Sequence, residues 1–170
     1  MSNVAPAGPP ALHGERERMI GDLFVTGMVV PELERAIEET TKTLGAMFTP
    51  VQESPLQMRT AQGVEVFNLR FVYSLGRSPH LELIEGIPGG YYDPKGGYIR
   101  HVGLWVDDLA AASAQLASSG MPLEASGMNG EVEPYAFVFH SLPWGLRVEL
   151  VDRVQQPTFE AWLGGGELQI

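Results

Sequence analysis

Three residues stand in settings that an ordinary surface does not explain: Glu82, His101 and Glu149. Each interrupts a short apolar run: Leu81-Glu-Leu-Ile-Glu85, Ile99-Arg-His-Val-Gly-Leu-Trp-Val106 and Val148-Glu-Leu-Val-Asp152. Carboxylates are depleted in strands. One removed from water without a partner costs several kcal/mol or surrenders its charge. One imidazole and two carboxylates also form a donor set for a divalent transition ion such as Mn, Fe, Co, Ni or Zn, with positions left for substrate oxygens. The separations, 19 residues (101 − 82) and 48 (149 − 101), match no compact metal motif. A second reading therefore stays open at this level. Arg147 shares a strand face with Glu149, and His80 shares one with Glu82, so either could satisfy a carboxylate without a metal. A lone histidine on a strand is more often structural than a ligand.

The elements that must carry these residues are legible from periodicity. Val102, Leu104 and Val106 alternate with His101, Gly103 and Trp105, the pattern of a strand with two distinct faces. Asp107 and Asp108 then offer N-caps to a helix whose apolar positions are Leu109, Ala112 and Leu116, with Gly120 at its C-cap. The unit occurs twice. Gly27-Met-Val-Val-Pro-Glu-Leu33 repeats Gly103-Leu-Trp-Val-Asp-Asp-Leu109 at an offset of 76 (103 − 27), with Pro31 at the first helical position and the helix ending at Gly45. Leu81–Glu85 repeats Val148–Asp152 at an offset of 67 (149 − 82). Two repeats in the same order imply a duplicated module. Glu82 and Glu149 then occupy equivalent places, and the counterpart of His101 is Val25.

In chain order, strands are expected at 23–30, 46–51, 64–73 and 80–85, with a helix at 31–44 and a turn-rich polar stretch between 51 and 64. The second half repeats the order: strand 99–106, helix 108–119, and strands near 122–125, 135–140 and 146–152. Residues 1–17 read as a flexible arm, 18–86 as the first strand–helix–three-strand module and 87–98 as a linker. Residues 99–153 form the second module and 154–170 a tail packing as a short cover. Tyr91 and Tyr92 in the linker either cover a pocket mouth or pack on the surface. Phe67, Phe71, Phe137 and Phe139 are expected in the core, and His13 and His140 have no assigned partner.

Composition excludes several classes. The 170 residues are 44% hydrophobic, enough for one domain or two fused halves sharing a core. No run of eighteen apolar residues predicts a membrane span, and no apolar stretch beside basic residues predicts a signal peptide, which suits a cytoplasmic protein. The absence of cysteine excludes disulfides and thiolate zinc sites. A net charge of −10 with only eleven Lys and Arg argues against nucleic acid.

Val29-Val-Pro-Glu-Leu-Glu-Arg-Ala, His80-Leu-Glu-Leu-Ile-Glu, His101-Val-Gly-Leu-Trp-Val-Asp-Asp-Leu and Gly145-Leu-Arg-Val-Glu-Leu-Val-Asp, in that order, resemble the vicinal oxygen chelate superfamily, the glyoxalase/bleomycin-resistance/dioxygenase group. The resemblance spans roughly residues 22 to 153. It implies an α+β fold of two tandem βαβββ modules, an open cup-like mixed sheet with pseudo-twofold symmetry, and by analogy a homodimer. It also implies a divalent metal drawn from the first and fourth strands of each module, here Val25, Glu82, His101 and Glu149. Val25 departs from the histidine common at that place, which disfavours ring-cleaving oxygenation. The implied activity is a metal-dependent isomerase, epimerase or lyase acting through an enolate of a small oxygenated metabolite. Metal would be held by Glu82, His101 and Glu149, Glu82 and His101 would be catalytic, and no organic cofactor is implied. The alternative is a metal-free member, either a small-molecule (antibiotic) binding protein or an acid–base dehydratase or cyclase of secondary metabolism, its cup lined by Trp105, Tyr135 and Trp144.

Overall fold

A computed structural model describes residues 20–96 and 99–166; the arm expected at 1–17 lies outside them. The chain forms β1 (Asp22–Val30), α1 (Leu33–Leu44), β2 (Gln52–Thr60), β3 (Gly63–Tyr73) and β4 (His80–Glu85). Then follow β5 (Ile99–Val106), α2 (Leu109–Ser118), β6 (Leu123–Gly127), β7 (Phe137–Ser141), β8 (Arg147–Asp152) and α3 (Gln156–Leu163). All eight strands belong to one curved mixed sheet in the order 1-4-3-2-6-7-8-5. Within it, β1 runs parallel to β4 and β5 parallel to β8, while the β1·β5 seam is antiparallel.

The sheet differs from the open cup expected. Backbone pairs Met58↔Gly127 and Arg59↔Ser126 join β2 to β6 and close the ring. Closing the ring removes any edge running the full length of the sheet and leaves partial ones, among them the stretch of β2 before Met58 and that of β3 before Phe71. Pro55 sits on the β2 stretch, paired to Asn68 on its β3 side. A residue without a backbone N–H is tolerated there because no strand asks for the donor.

Period-2 alternation decides what faces inward. On β5, Leu104 and Val106 turn outward under α2, where Leu109, Ala112 and Leu116 meet Val138, Val148 and Leu150. On β4, Leu83 turns outward to join Leu33 of α1, Val30 and Val72. The opposite faces of the same strands therefore send His101, Glu82 and Glu149 into the barrel. Both helices lie on the outside. Asp108 caps α2 by accepting from the Ala111 N–H at 2.9 Å, and Gly45 ends α1 in the left-handed conformation.

Two local expectations fail for physical reasons. The strand expected at 46–51 is only a bridge between Phe48 and Ser74, because Pro50 interrupts it, and β2 begins at Gln52. Pro31 precedes the N-cap Glu32 instead of opening the helix. The tail forms a helix, α3, whose Phe159 closes one end of the barrel. Its ring centroid lies 5.0 Å from that of Tyr73, 5.5 Å from Phe24 and 5.6 Å from Trp105. Among the described residues no helix is long and apolar enough to cross a membrane.

Leu150 is completely buried between α2 and the sheet, whereas Trp144 on the β7–β8 turn is 73% exposed. Leu150→Ala is expected to lower stability by about 2–5 kcal/mol, the cost of a partly relaxed core cavity. Trp144→Ala should stay within about 0.5 kcal/mol. Urea denaturation of the two variants checks both.

Candidate functional site

The β1·β5 seam brings the two halves of the site together. Gly27 is paired with His101 across it, and Val25 with Gly103. On the outer sides, Gly27 pairs with Glu82 of β4 and Gly103 with Glu149 of β8. The two glycines are necessary by space, not by backbone angle. A Cβ on Gly27 would lie 2.0 Å from Cε1 of His101, and one on Gly103 would lie 2.4 Å from a Val25 methyl. Each glycine makes room for the side chain across the seam, and the His101 ring lies over β1.

The structure brings together all three residues singled out from the sequence. His101 Nε2 lies 3.1 Å from Glu82 Oε2 and 3.3 Å from Glu149 Oε2, with His101 only 2% exposed and Glu82 8%. Neither approach has the geometry of a hydrogen bond, so Nε2 is a buried polar atom without such a partner. Burial opposes charge on the ring. The Glu149 and Glu82 carboxylates outweigh it and push His101 up to about 10. Tyr73, paired with Glu82 in the β3·β4 ladder, has its hydroxyl pushed far upward by burial and then by the charges of Glu82 and Glu149. It stays neutral, beside Glu82 on the same face of the sheet.

The neighbours offered by the sequence as alternative partners are engaged elsewhere. Arg147 Nε meets both carboxylate oxygens of Glu124 at 2.8 Å, and its guanidinium lies 4.6 Å above the Tyr91 ring. His80 Nδ1 pairs with the Ser74 carbonyl at 2.9 Å, and its ring packs against Phe159. His140, fully buried, links Ser113 to the Met121 carbonyl, both at 2.9 Å. Glu82 and Glu149 are left to His101.

The triad stands at the wall of a cavity of about 170 Å³ lined by Leu56, Phe71, Tyr73, Tyr92, Phe137 and Phe139 among others. Tyr92 is buried and faces this cavity, resolving the linker tyrosine toward the pocket. Ser54 and Leu56 of β2 also line it, residues that sequence reading left in a turn. Their alternation with Glu53, Pro55 and Gln57 was the available signal, masked by two polar positions and a proline. Trp144, expected in the cup, is outside it; Trp105 and Tyr135 line an adjoining cavity instead.

Do these residues fit a divalent metal? Among the described residues no group of three or more His, Cys, Asp or Glu side chains is arranged as a metal site. The spacing is nonetheless close to that of neighbouring ligands: atoms about 2.1 Å from one ion and at right angles are about 3.0 Å apart. Charge agrees as well. Two carboxylates and a protonated imidazole leave one net negative charge against aromatic walls, and the described lining residues include no Lys or Arg. Two carboxylates, a neutral imidazole and a divalent cation sum to zero. The donor set fits.

Comparison with known proteins places the chain in the glyoxalase/bleomycin resistance protein/dioxygenase superfamily, whose profile matches residues 26–139. The chain belongs to that superfamily. Among solved structures it is similar to methylmalonyl-CoA epimerase from Mycobacterium tuberculosis, with 21% identity, a TM-score of 0.55, and 82% of this chain and 93% of that one covered. A methylmalonyl-CoA epimerase in complex with methylmalonyl-CoA and NH4+ is 16% identical, with a TM-score of 0.51 and coverage of 78% and 94%. A hypothetical protein, BH1468 from Bacillus halodurans C-125, is 17% identical, with a TM-score of 0.53 and the same coverages. At such identities the likeness is one of fold. No curated protein matches.

The seam makes a sharp prediction. Gly27→Ala forces the His101 ring aside and is expected to cost about 1–3 kcal/mol, as overpacking does. In a His101→Ala background the obstacle is gone and most of that cost should vanish. A double-mutant cycle in urea measures the coupling; equal costs in both backgrounds would show that the ring and Gly27 do not compete for one space.

Proposed function

We propose that this chain is a metal-dependent isomerase or epimerase, with lyase chemistry open to the same site, acting through an enolate of a small oxygenated metabolite. The observation that carries the proposal is the convergence of His101 Nε2 with Glu82 and Glu149, in a buried cluster where the ring nitrogen lacks a hydrogen-bond partner. His101, Glu149 and Glu82 would hold the ion. When bound, a divalent ion polarises a substrate carbonyl and stabilises the negative charge of the adjacent enolate.

The protein's own groups supply the rest. Glu82 has a dual place, as third donor and, with substrate bound, as the acceptor of the proton from carbon beside the carbonyl. The neutral Tyr73 hydroxyl lines the same cavity beside Glu82, within the space where the proton is moved. Return of the proton to the opposite face of the same carbon is epimerisation; return to a neighbouring atom is isomerisation. The aromatic walls exclude water from the intermediate. The repeat-related positions of Val25 with His101, and of Glu82 with Glu149, support reading the chain as two βαβββ halves that each contribute to one central site.

One observation favours a second reading. Val25, completely buried at the place equivalent to His101, provides no donor, so the set holds three protein ligands and not four. A metal-free binding protein or acid–base enzyme would use the same cavity.

Elemental analysis of protein purified without chelator separates the two. About one equivalent of divalent metal is expected, and its loss in a His101→Ala/Glu149→Ala variant. Proton NMR in deuterated water, with a panel of 2-oxo acids, β-keto esters and methylmalonyl-CoA, should then reveal metal-dependent exchange at a carbon acid. Glu82→Gln is expected to slow that exchange by about 10²-fold or more. A protein that takes up no metal even when Mn, Fe, Co, Ni or Zn is supplied would sink the metal reading.

A further inference from the structure

The barrel holds a second cavity of about 190 Å³ beside the first, under α3, lined by Phe24, Trp105, Tyr135, Phe137, Val151 and Phe159 among others. Tyr73, Phe137 and Glu149 line both cavities. They therefore form two lobes of one space, with Glu149 of the carboxylate cluster at their junction. We propose that the substrate has two parts: an oxygenated head at His101, Glu82 and Glu149, and a planar aromatic tail seated against Trp105 and Phe159. The inference rests on the proposed reading of that cluster as an oxygen-binding head site, and it adds the class of substrate.

Size and shape support an aromatic tail. An apolar cavity of about 150 Å³ is large enough to take up benzene, and this lobe is of that order. Two of its lining rings are parallel: Phe24 and Trp105 stack at 3.9 Å with only 19° between their planes. Phe159 stands edge-on to both Trp105 and Tyr73, at 5.6 and 5.0 Å, so rings in the favoured T-shaped arrangement already line this lobe.

The other wall is held by strained backbone. Ala136 has φ of +64°, and the Phe137 N–H donates to the Tyr135 carbonyl at 2.7 Å. That is a γ-turn of the rare positive-φ kind, a conformation an alanine adopts only when its surroundings impose it. The imposition is visible: the Ala136 carbonyl accepts from the Asp152 N–H at 2.8 Å, and the Tyr135 N–H donates to the Gly127 carbonyl at 2.8 Å. The turn sets Phe137 between the lobes and Tyr135 at the rim. Gln155 and Thr158 stand in the same wall, placed to meet a polar substituent on the ring.

Charge excludes another class of tail. Among the described residues neither lobe is lined by Lys or Arg. A polyanionic tail, such as the phosphate-bearing part of the methylmalonyl-CoA held by one structural relative, finds no counter-charge there.

Two hydroxamates with the same bidentate oxygen head test the inference: acetohydroxamate, with a methyl tail, and 2-naphthohydroxamate, with a fused aromatic one. Titrated calorimetrically into Mn-loaded protein, the naphthyl compound is expected to bind at least about tenfold tighter. Phe159→Ala should remove most of that preference and leave acetohydroxamate affinity unchanged. Tyr135→Ala, at the exposed rim, keeps the test decisive if Phe159→Ala fails to fold. Equal affinities, or a preference untouched by both variants, would overturn the inference. A third probe, 2-naphthol, lacks a chelating head and is titrated into chelator-treated protein while tryptophan fluorescence is followed. If neither hydroxamate binds but 2-naphthol quenches in wild type and not in Phe159→Ala, the aromatic lobe stands and the metal reading fails. No quenching by 2-naphthol and no naphthyl preference would remove the aromatic lobe.

Discussion

The approach of β1 to β5 is the constraint on which the rest of the molecule depends. Two strands can share a seam with a histidine lying across it only if the facing residue has no side chain. Gly27 provides that space for His101, and Gly103 provides it for Val25. From the seam outward the registers are fixed: Glu82 stands beside Gly27 on β4, and Glu149 beside Gly103 on β8. A one-residue slip of either strand would turn its charged group outward to the helix-covered face and a leucine or valine inward. The same alternation that buries Leu83, Val148 and Leu150 under the helices thus aims the carboxylates at one imidazole.

Electrostatics then separates two kinds of charge pair. The arginines are committed at the rim: Arg70 to Glu34, Glu53 and Glu85, Arg147 to Glu124, and Arg153 to Asp22 and Asp107. Pairs as exposed as several of these contribute little to stability. They do tie α1 to the sheet and the start of the tail to β1 and the β5–α2 junction. Inside, the cluster of His101, Glu82 and Glu149 is shielded from water, where an unmatched charge is costly. The proposed metal therefore rests on the gathering of two carboxylates and an imidazole against aromatic walls more than on their spacing in sequence.

Much of this was legible in the amino-acid sequence because the chain states it twice. The offsets of 76 and 67 placed Glu82 opposite Glu149 and His101 opposite Val25 before any coordinates, and β4 and β5 fall on the predicted residues. What escaped was written weakly. Strand β2 (Gln52–Thr60) carries Ser54 and Pro55 where a strand normally shows apolar alternation, and its β3 pairing overrode local propensity. α3 has no capping side chain and only Trp162 buried, with Phe159 partly so, and its place against the barrel depends on contacts distant in sequence. The commitment of Arg147 to Glu124 was equally invisible, since β6 and β8 are brought together only by the strand between them. The place of Tyr73 beside Glu82 follows from a register that sequence does not print.

The central claim is that one imidazole and two carboxylates on facing strands coordinate a single divalent ion. Pulsed electron paramagnetic resonance of Mn-loaded protein reads the nitrogen ligands directly. The account predicts hyperfine coupling to one histidine nitrogen, abolished in His101→Ala and retained in His80→Ala and His140→Ala. A bound ion without histidine coupling, or coupling that survives the loss of His101, would contradict it.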